Sequence, residues 1–185
     1  KFKKGVLRRP SGIAVGKDGK IFVADRSNNV VQIFDRDLKF IDLLGSKSVK
    51  FNRPSSISIF NDEMNNNHIA ILERKLGHNS SLNFYRTING FGLLKHYKKF
   101  DESDLNDPQD MDISKSGLIY VADTLNRRIL QIDLNGKIIN QVDMKIISDN
   151  DRILIKTVSV RNDGAVFTAD FDNCIVYEFN SELKK

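Results

Sequence analysis

Several residue types are scarce enough to narrow the chemistry. Cys174 is the only cysteine among 185 residues, so an internal disulfide is excluded and a reducing compartment fits. No apolar run approaches the roughly 18 residues that a helical membrane span needs. No secretory h-region stands at the N-terminus, and the opening KFKKG, without an initiator Met, reads as the start of an excised or processed chain. His68, His78 and His96 all fall in one divergent stretch, and neither a His-x-His pair nor a carboxylate cluster at ligand spacing accompanies them. Nor is there a glycine-rich phosphate loop, a nucleophile elbow or a paired acid/base motif. The expectation is a cytoplasmic protein without catalytic residues, metal or cofactor. His68 is expected within a strand, the other histidines in loops, and Cys174 as a buried structural thiol.

What the sequence does have is alternation. Hydrophobic residues make up 40% and charged residues 29% of the chain, the balance of a globular protein with a real core. The net charge of +5 hides a split: residues 1–100 hold 19 Lys/Arg against 8 Asp/Glu, whereas residues 101–185 hold 10 against 16. Two regions of opposite sign make an asymmetric field that orients an anionic partner toward the first.

Three phrases align without a gap: PSGIAVGKDGKIFVAD (10–25), PQDMDISKSGLIYVAD (108–123) and IKTVSVRNDGAVFTAD (155–170). Each has a short apolar alternation, a polar stretch ending in Gly, and a second alternating run closing on Ala-Asp. PSSISIFNDEMNNNHIAILE (54–73) fits the template with four residues inserted and Glu73 in place of Asp. The unit starts at 10, 54, 108 and 155 are spaced by 44, 54 and 47 residues, the period of propeller blades built from several short strands. Within the first unit the strands read as 12–15, 20–24, 30–34 and 40–45, with the turn GKDG (16–19) closing a hairpin. Helix finds little support, because the apolar period is two throughout.

Each second strand ends on an aspartate followed three residues later by an asparagine: Asp25 with Asn28, Asp123 with Asn126, Asp170 with Asn173. A chain reversing there leaves amides unpaired. The Asp is expected to accept hydrogen bonds from the amides that follow it, and the Asn to supply the left-handed backbone of the turn. Repetition in blade after blade marks these pairs as structural, since a catalytic carboxylate is needed only once or twice.

The pattern Pro-x-Gly-Ile-Ala-Val, Asp-Gly-x-Ile-x-Val-Ala-Asp, then Asn, two variable residues and an apolar one, resembles the NHL repeat. The likeness is closest over 10–45 and 108–142, good but without proline over 155–179, and divergent over 54–99. The name-giving Asn-His-Leu element appears only in altered form, as NNV, NRRI and NCI. The resemblance implies an all-β β-propeller of four-stranded blades, with repeats at about 10–53, 54–107, 108–154 and 155–185. The fourth repeat stops after its third strand. Either KFKKG supplies the missing strand of a four-bladed ring, or, as open edges disfavour that arrangement, the chain is part of a larger, about six-bladed one with further blades or domains.

In the tripartite-motif NHL proteins that these repeats resemble, one rim binds single-stranded RNA or a partner protein. Similar propellers include calcium lactonases and a zinc-dependent amidating lyase, so a metal-dependent hydrolase or lyase is the alternative reading, with Glu73 its one candidate glutamate. The rim carrying the second-to-third-strand loops would hold Arg8, Arg9, Arg26, Lys50, Arg53, Arg74 and Lys75 from the first two repeats and Arg127 from the third. Phe51 and Phe171 lie near it, and an aromatic ring beside guanidinium groups is what unpaired bases stack upon. Asp101, Glu102, Asp104, Asp107, Asp149 and Asp151 would make the same rim acidic in the last two repeats.

Overall fold

The structure is a computed structural model that describes residues 3–44, 51–62, 67–74, 80–87, 94–100, 105–147 and 152–185. Strands dominate it. The first blade is β1 (Pro10–Val15), β2 (Ile21–Asp25), β3 (Val30–Phe34) and β4 (Phe40–Leu43), an antiparallel sheet in chain order. The second is β5 (Pro54–Asn61), β6 (Asn67–Glu73), β7 (Ser81–Thr87) and β8 (Leu94–Phe100). The third is β9 (Asp110–Ile113), β10 (Ile119–Asp123), β11 (Arg128–Ile132) and β12 (Ile138–Asp143). The fourth has three strands, β13 (Ile155–Val160), β14 (Val166–Asp170) and β15 (Ile175–Phe179), as the repeat pattern predicts. These are the blades of a β-propeller.

Burial explains the composition of each strand. The two middle strands of the first and third blades are buried along nearly their whole length, which is why IFVAD and IYVAD are apolar on both faces. Edge strands alternate instead: β1 and β12 expose every second residue. Hairpins between the first and second strands turn on glycines with positive φ, +80° at Gly19 and +93° at Gly164, where a side chain would be strained. Asp18 steadies the first of them by accepting the Lys20 N–H at 3.2 Å.

Several boundaries differ from expectation. The second strand of blade 1 runs on to Asp25 and the fourth stops at Leu43. His96 lies on β8, not in a loop, opposite Tyr85. His68 is on β6 as predicted, and His78 lies outside the described residues. Residues 3–5 form a turn, with the Gly5 N–H on the Gln32 Oε1 at 2.9 Å, and not a strand. Two short helical turns also appear where none was expected: a 3-10 turn at Thr124–Asn126 and α1 at Met144–Ile147. The first closes a loop too tight for anything longer. The second is pinned by buried Met144, whose N–H donates to the Arg127 carbonyl at 2.9 Å.

The chain divides into two compact units, residues 1–75 with 81–100 and residues 76–80 with 101–185. In the first, Phe22, Ala24, Val31 and Ile33 of blade 1 pack with Ile57, Ile69, Ile71 and Tyr85 of blade 2. Gly12 permits their approach: a Cβ there would lie 2.8 Å from the Ser56 Cα. In the second, Tyr120, Ala122 and Ile129 pack with Ile155, Val158, Val166, Tyr177 and Phe179. Polar contacts reinforce that packing, since Asp110 and Asp112 accept the Val158 and Val160 N–H groups at 3.2 and 2.9 Å. Among the described residues no helix is long and apolar enough to cross a membrane.

Each core holds one tyrosine whose ionisation is suppressed. Burial, and secondarily the Glu73 carboxylate, push Tyr85 well above its ordinary 10.0. Burial also raises Tyr120, partly offset by its hydrogen bond with Gln131. An unfolded chain releases these protons near pH 10 and the folded one does not, so alkali favours unfolding. Denaturation midpoints should therefore be insensitive to these groups below pH 10 and should fall above it. The expected slope is up to about 1.4 kcal/mol per pH unit for each tyrosine held neutral. Tyr85→Phe should flatten that decline in denaturant titrations between pH 8 and 11, and an unchanged slope would contradict the assignment.

Candidate nucleic-acid interface

The loop end of each blade is organised by the aspartate that closes its second strand. Asp25, Asp123 and Asp170 are 0%, 0% and 1% exposed, and each accepts the amide of its predicted asparagine: Asn28 at 2.7 Å, Asn126 at 2.8 Å and Asn173 at 2.7 Å. The pairs are as the sequence suggests, but the rest of the geometry is not. Their backbone donors come mainly from the segment leading into the blade, 16 or 17 residues upstream. Asp25 takes the Arg8 and Arg9 N–H groups, Asp123 the Asn106 N–H and Asp170 the Leu154 N–H, at 2.8–3.2 Å. Asp170 also accepts the N–H of Asp172, an amide that follows it, at 3.2 Å. A further side chain completes two of the sites, Gln32 at 3.1 Å from Asp25 and Arg128 at 2.7 Å from Asp123.

The left-handed residue of the turn is likewise not the predicted asparagine. It is the next residue, Asn29, Arg127 or Cys174, with φ of 56°, 54° and 55°. The asparagine is needed for its side-chain donor, and its neighbour bears the backbone cost. Cys174 in that position is exposed, which corrects the expected buried thiol.

Arginines flank this scaffold in the first unit. The Arg26 N–H donates to the Arg9 carbonyl at 3.0 Å, and one blade later the Arg74 N–H donates to the Arg53 carbonyl at 3.3 Å. The two pairs are tied together by Asn29, whose Oδ1 accepts the Arg53 N–H at 2.9 Å. Arg8 and Arg9 are exposed, and Arg26, Arg53 and Arg74 half-buried. In blade 4 the same bond joins Phe171 to Leu154 at 2.9 Å. In blade 3 it moves by one residue on each side, to the Leu125 N–H and the Asn106 carbonyl. The corresponding residues there are Asp107 and Thr124, so among the described residues paired arginines occupy these positions in the first two blades only.

The remaining expected interface residues divide. Phe51 is withdrawn: it is 4% exposed and packs edge-to-face on Tyr85 with centroids 5.7 Å apart, because the apolar gap between blades 1 and 2 needs a large ring. Phe171 is 64% exposed and carries the Lys156 ammonium 3.6 Å above its ring. Arg127 is half-buried beside the turn. Lys50, Lys75, Asp101, Glu102, Asp104, Asp149 and Asp151 lie outside the described residues. Sequence reading missed Asn29, Gln32 and Arg128, whose roles depend on contacts that no local pattern records. Among the described residues no group of three His, Cys, Asp or Glu side chains is arranged to hold a metal ion.

Removing one clamp tests its role. Asp123→Ala strands the Asn106 amide and leaves Arg128 without its carboxylate, so it should lower stability by roughly 1–3 kcal/mol. Ligand affinity of the folded fraction should stay unchanged. A variant of full stability that has lost binding would instead place Asp123 in the interface.

Known proteins agree with this architecture. Residues 7–34 match the NHL repeat. The brain tumor protein of Drosophila melanogaster is 26% identical over 141 residues, 75% of this chain and 13% of that protein. The lin-41 protein of Caenorhabditis elegans is 62% identical over 37 residues, 20% of this chain and 3% of that protein. The chain thus spans a small part of the length of these relatives. Among solved structures, a gluconolactonase from Xanthomonas campestris is 15% identical with a TM-score of 0.62, covering 95% of this chain and 60% of its own. Virginiamycin B lyase from Staphylococcus aureus is 14% identical with a TM-score of 0.56, covering 95% and 56%. At such identities the two structures share the fold alone, in the proportion that a four-blade part of a larger ring would have. With the NHL repeat matched over residues 7–34 and the Asp–Asn clamp repeated in three blades, this chain carries an NHL repeat and is similar to NHL-repeat proteins.

Proposed function

We propose that the chain is a non-enzymatic binding scaffold of the cytoplasm whose arginine-bearing loop end in blades 1 and 2 takes single-stranded RNA. The observation that supports this best is the repeated arginine pair, Arg9 with Arg26 and Arg53 with Arg74, held by equivalent backbone bonds in successive blades and linked through Asn29. Each guanidinium is a planar fork that pairs with phosphate and also stacks on a base. In the second unit Phe171 and Arg127 offer a ring and a guanidinium of the same kind. The excess of positive charge over residues 1–100 supplies the long-range attraction. The likeness to tripartite-motif NHL proteins points the same way.

Charge reversal tests the local site against mere net charge. Arg26→Glu with Arg53→Glu should weaken binding to a single-stranded RNA at least tenfold, about 1.4 kcal/mol, with the melting temperature unchanged. Lys17→Glu with Lys39→Glu alters the total charge equally. Both lysines lie at the opposite end of blade 1, in its β1–β2 and β3–β4 turns. That second pair should do little. Affinity of the parent should fall steeply with salt. Equal losses from the two double variants would indicate diffuse attraction, and an intact protein that ignores RNA at low salt would favour a protein ligand.

The alternative, a lactonase-like or amidating-lyase-like metal enzyme, makes an opposite prediction. Under the scaffold reading, elemental analysis after dialysis should find no stoichiometric zinc or calcium, and chelator should leave the melting temperature where it was. One equivalent of either metal would bring the enzyme forward.

A further inference from the structure

We infer that Ser11 is a phosphoacceptor for a serine kinase that reads arginine, and that its phosphate would sit within the arginine pairs of blades 1 and 2. Ser11 follows Arg8-Arg9-Pro10, so arginines stand two and three residues before an exposed serine. This is the spacing at which a kinase's acidic substrate cleft engages two guanidinium groups. The structure prepares the segment for that reading. Asp25 holds the Arg8 and Arg9 backbone through their N–H groups at 3.2 Å, while both residues remain exposed. Ser11 is itself the extra residue of a β-bulge, since pairing with β2 passes from Pro10–Asp25 to Gly12–Ala24 and skips it.

The same bulge recurs, and in blade 4 its skipped side chain reaches the residue after the clamp. In blade 4 the skipped residue is Lys156, between Ile155–Asp170 and Thr157–Ala169, and its ammonium lies over Phe171, the residue after the clamp. The equivalent pair in blade 1 is Ser11 and Arg26. The Ser11 hydroxyl donates to the Pro54 carbonyl at 2.8 Å, next to Arg53, and to the Ala24 carbonyl at 3.4 Å. Transfer of the γ-phosphoryl group of ATP would form the Oγ–P bond, break the bond from γ-phosphorus to the bridging oxygen, release ADP and pass the hydroxyl proton to the kinase's base. The product carries a charge near −2 with oxygens suited to guanidinium forks. Resting on the RNA reading above, that phosphate would neutralise the arginines an RNA backbone needs.

The test uses the folded chain, a basophilic kinase such as the cyclic-AMP-dependent protein kinase, and Mg-ATP. One phosphate should appear at Ser11 by peptide mass mapping. Ser11→Ala should abolish it and Ser11→Thr should keep it. The phosphorylated protein should bind single-stranded RNA at least tenfold more weakly, with a shallower salt dependence. A peptide spanning residues 5–16 that is phosphorylated while the folded chain is not would overturn the inference. So would a modified Ser11 with undiminished RNA affinity, where the Arg26 and Arg53 reversals do lower it. If neither form binds RNA, the RNA reading fails alone and the phosphoacceptor stands on the mass shift.

Discussion

The fold of each well-formed repeat depends on a carboxylate taken out of water. Burying a charge is costly unless every lone pair finds a donor, and a half-satisfied site is worse than an apolar one. Asp25 meets that condition with the backbone amides of Arg8 and Arg9 and the side-chain amides of Asn28 and Gln32. Asp123 meets it with Asn106, Asn126 and Arg128. These donors come from the incoming chain, the turn and the third strand. One side chain therefore joins the turn and the third strand to an incoming segment 16 or 17 residues upstream, and charge-assisted bonds make the fixation strong.

Blade 2 carries a different carboxylate at this position. Glu73 replaces the aspartate and remains buried, and the Arg53 amide is held by Asn29 of the neighbouring blade. The backbone bond between the loop and the incoming segment persists, at 3.3 Å against 3.0 Å in blade 1. Tyr85 lies near that carboxylate and Phe51 packs on Tyr85. An aromatic pair thus occupies this part of the divergent repeat.

Much of this was legible in the sequence, for a physical reason. Alternation with period two, hairpin glycines and a fixed blade length are local signals, and they set the strand order and the three Asp–Asn pairs. The larger errors concern contacts between segments far apart. The amides that bind Asp25 are 16 and 17 residues upstream of it, so a reading confined to the turn assigned the donors to the wrong side. Phe51 sits in a loop among basic residues, as a stacking ring would, and only the apolar surface of Tyr85 across the sheet shows that it points inward. Asn28 and Asn29 are indistinguishable as letters. One supplies an amide to the clamp and the other supplies φ of 56°.

The division between fold and function runs through adjacent atoms. The bond that closes the loop end uses backbone N–H and carbonyl groups, so it constrains neither side chain that flanks it. The bonded residues are Arg and Arg in blades 1 and 2, Asn and Leu in blade 3, and Leu and Phe in blade 4. The residue before the clamp varies less: it is Ala24, Ala122 and Ala169 in blades 1, 3 and 4, and Leu72 in blade 2. A scaffold with this property can vary these side chains while keeping the backbone bond beneath them. Rigid backbone also lowers the entropy that a ligand must remove when it orders those side chains. The concentration of arginine at these positions in the first two blades is therefore a choice that the fold permits but does not require.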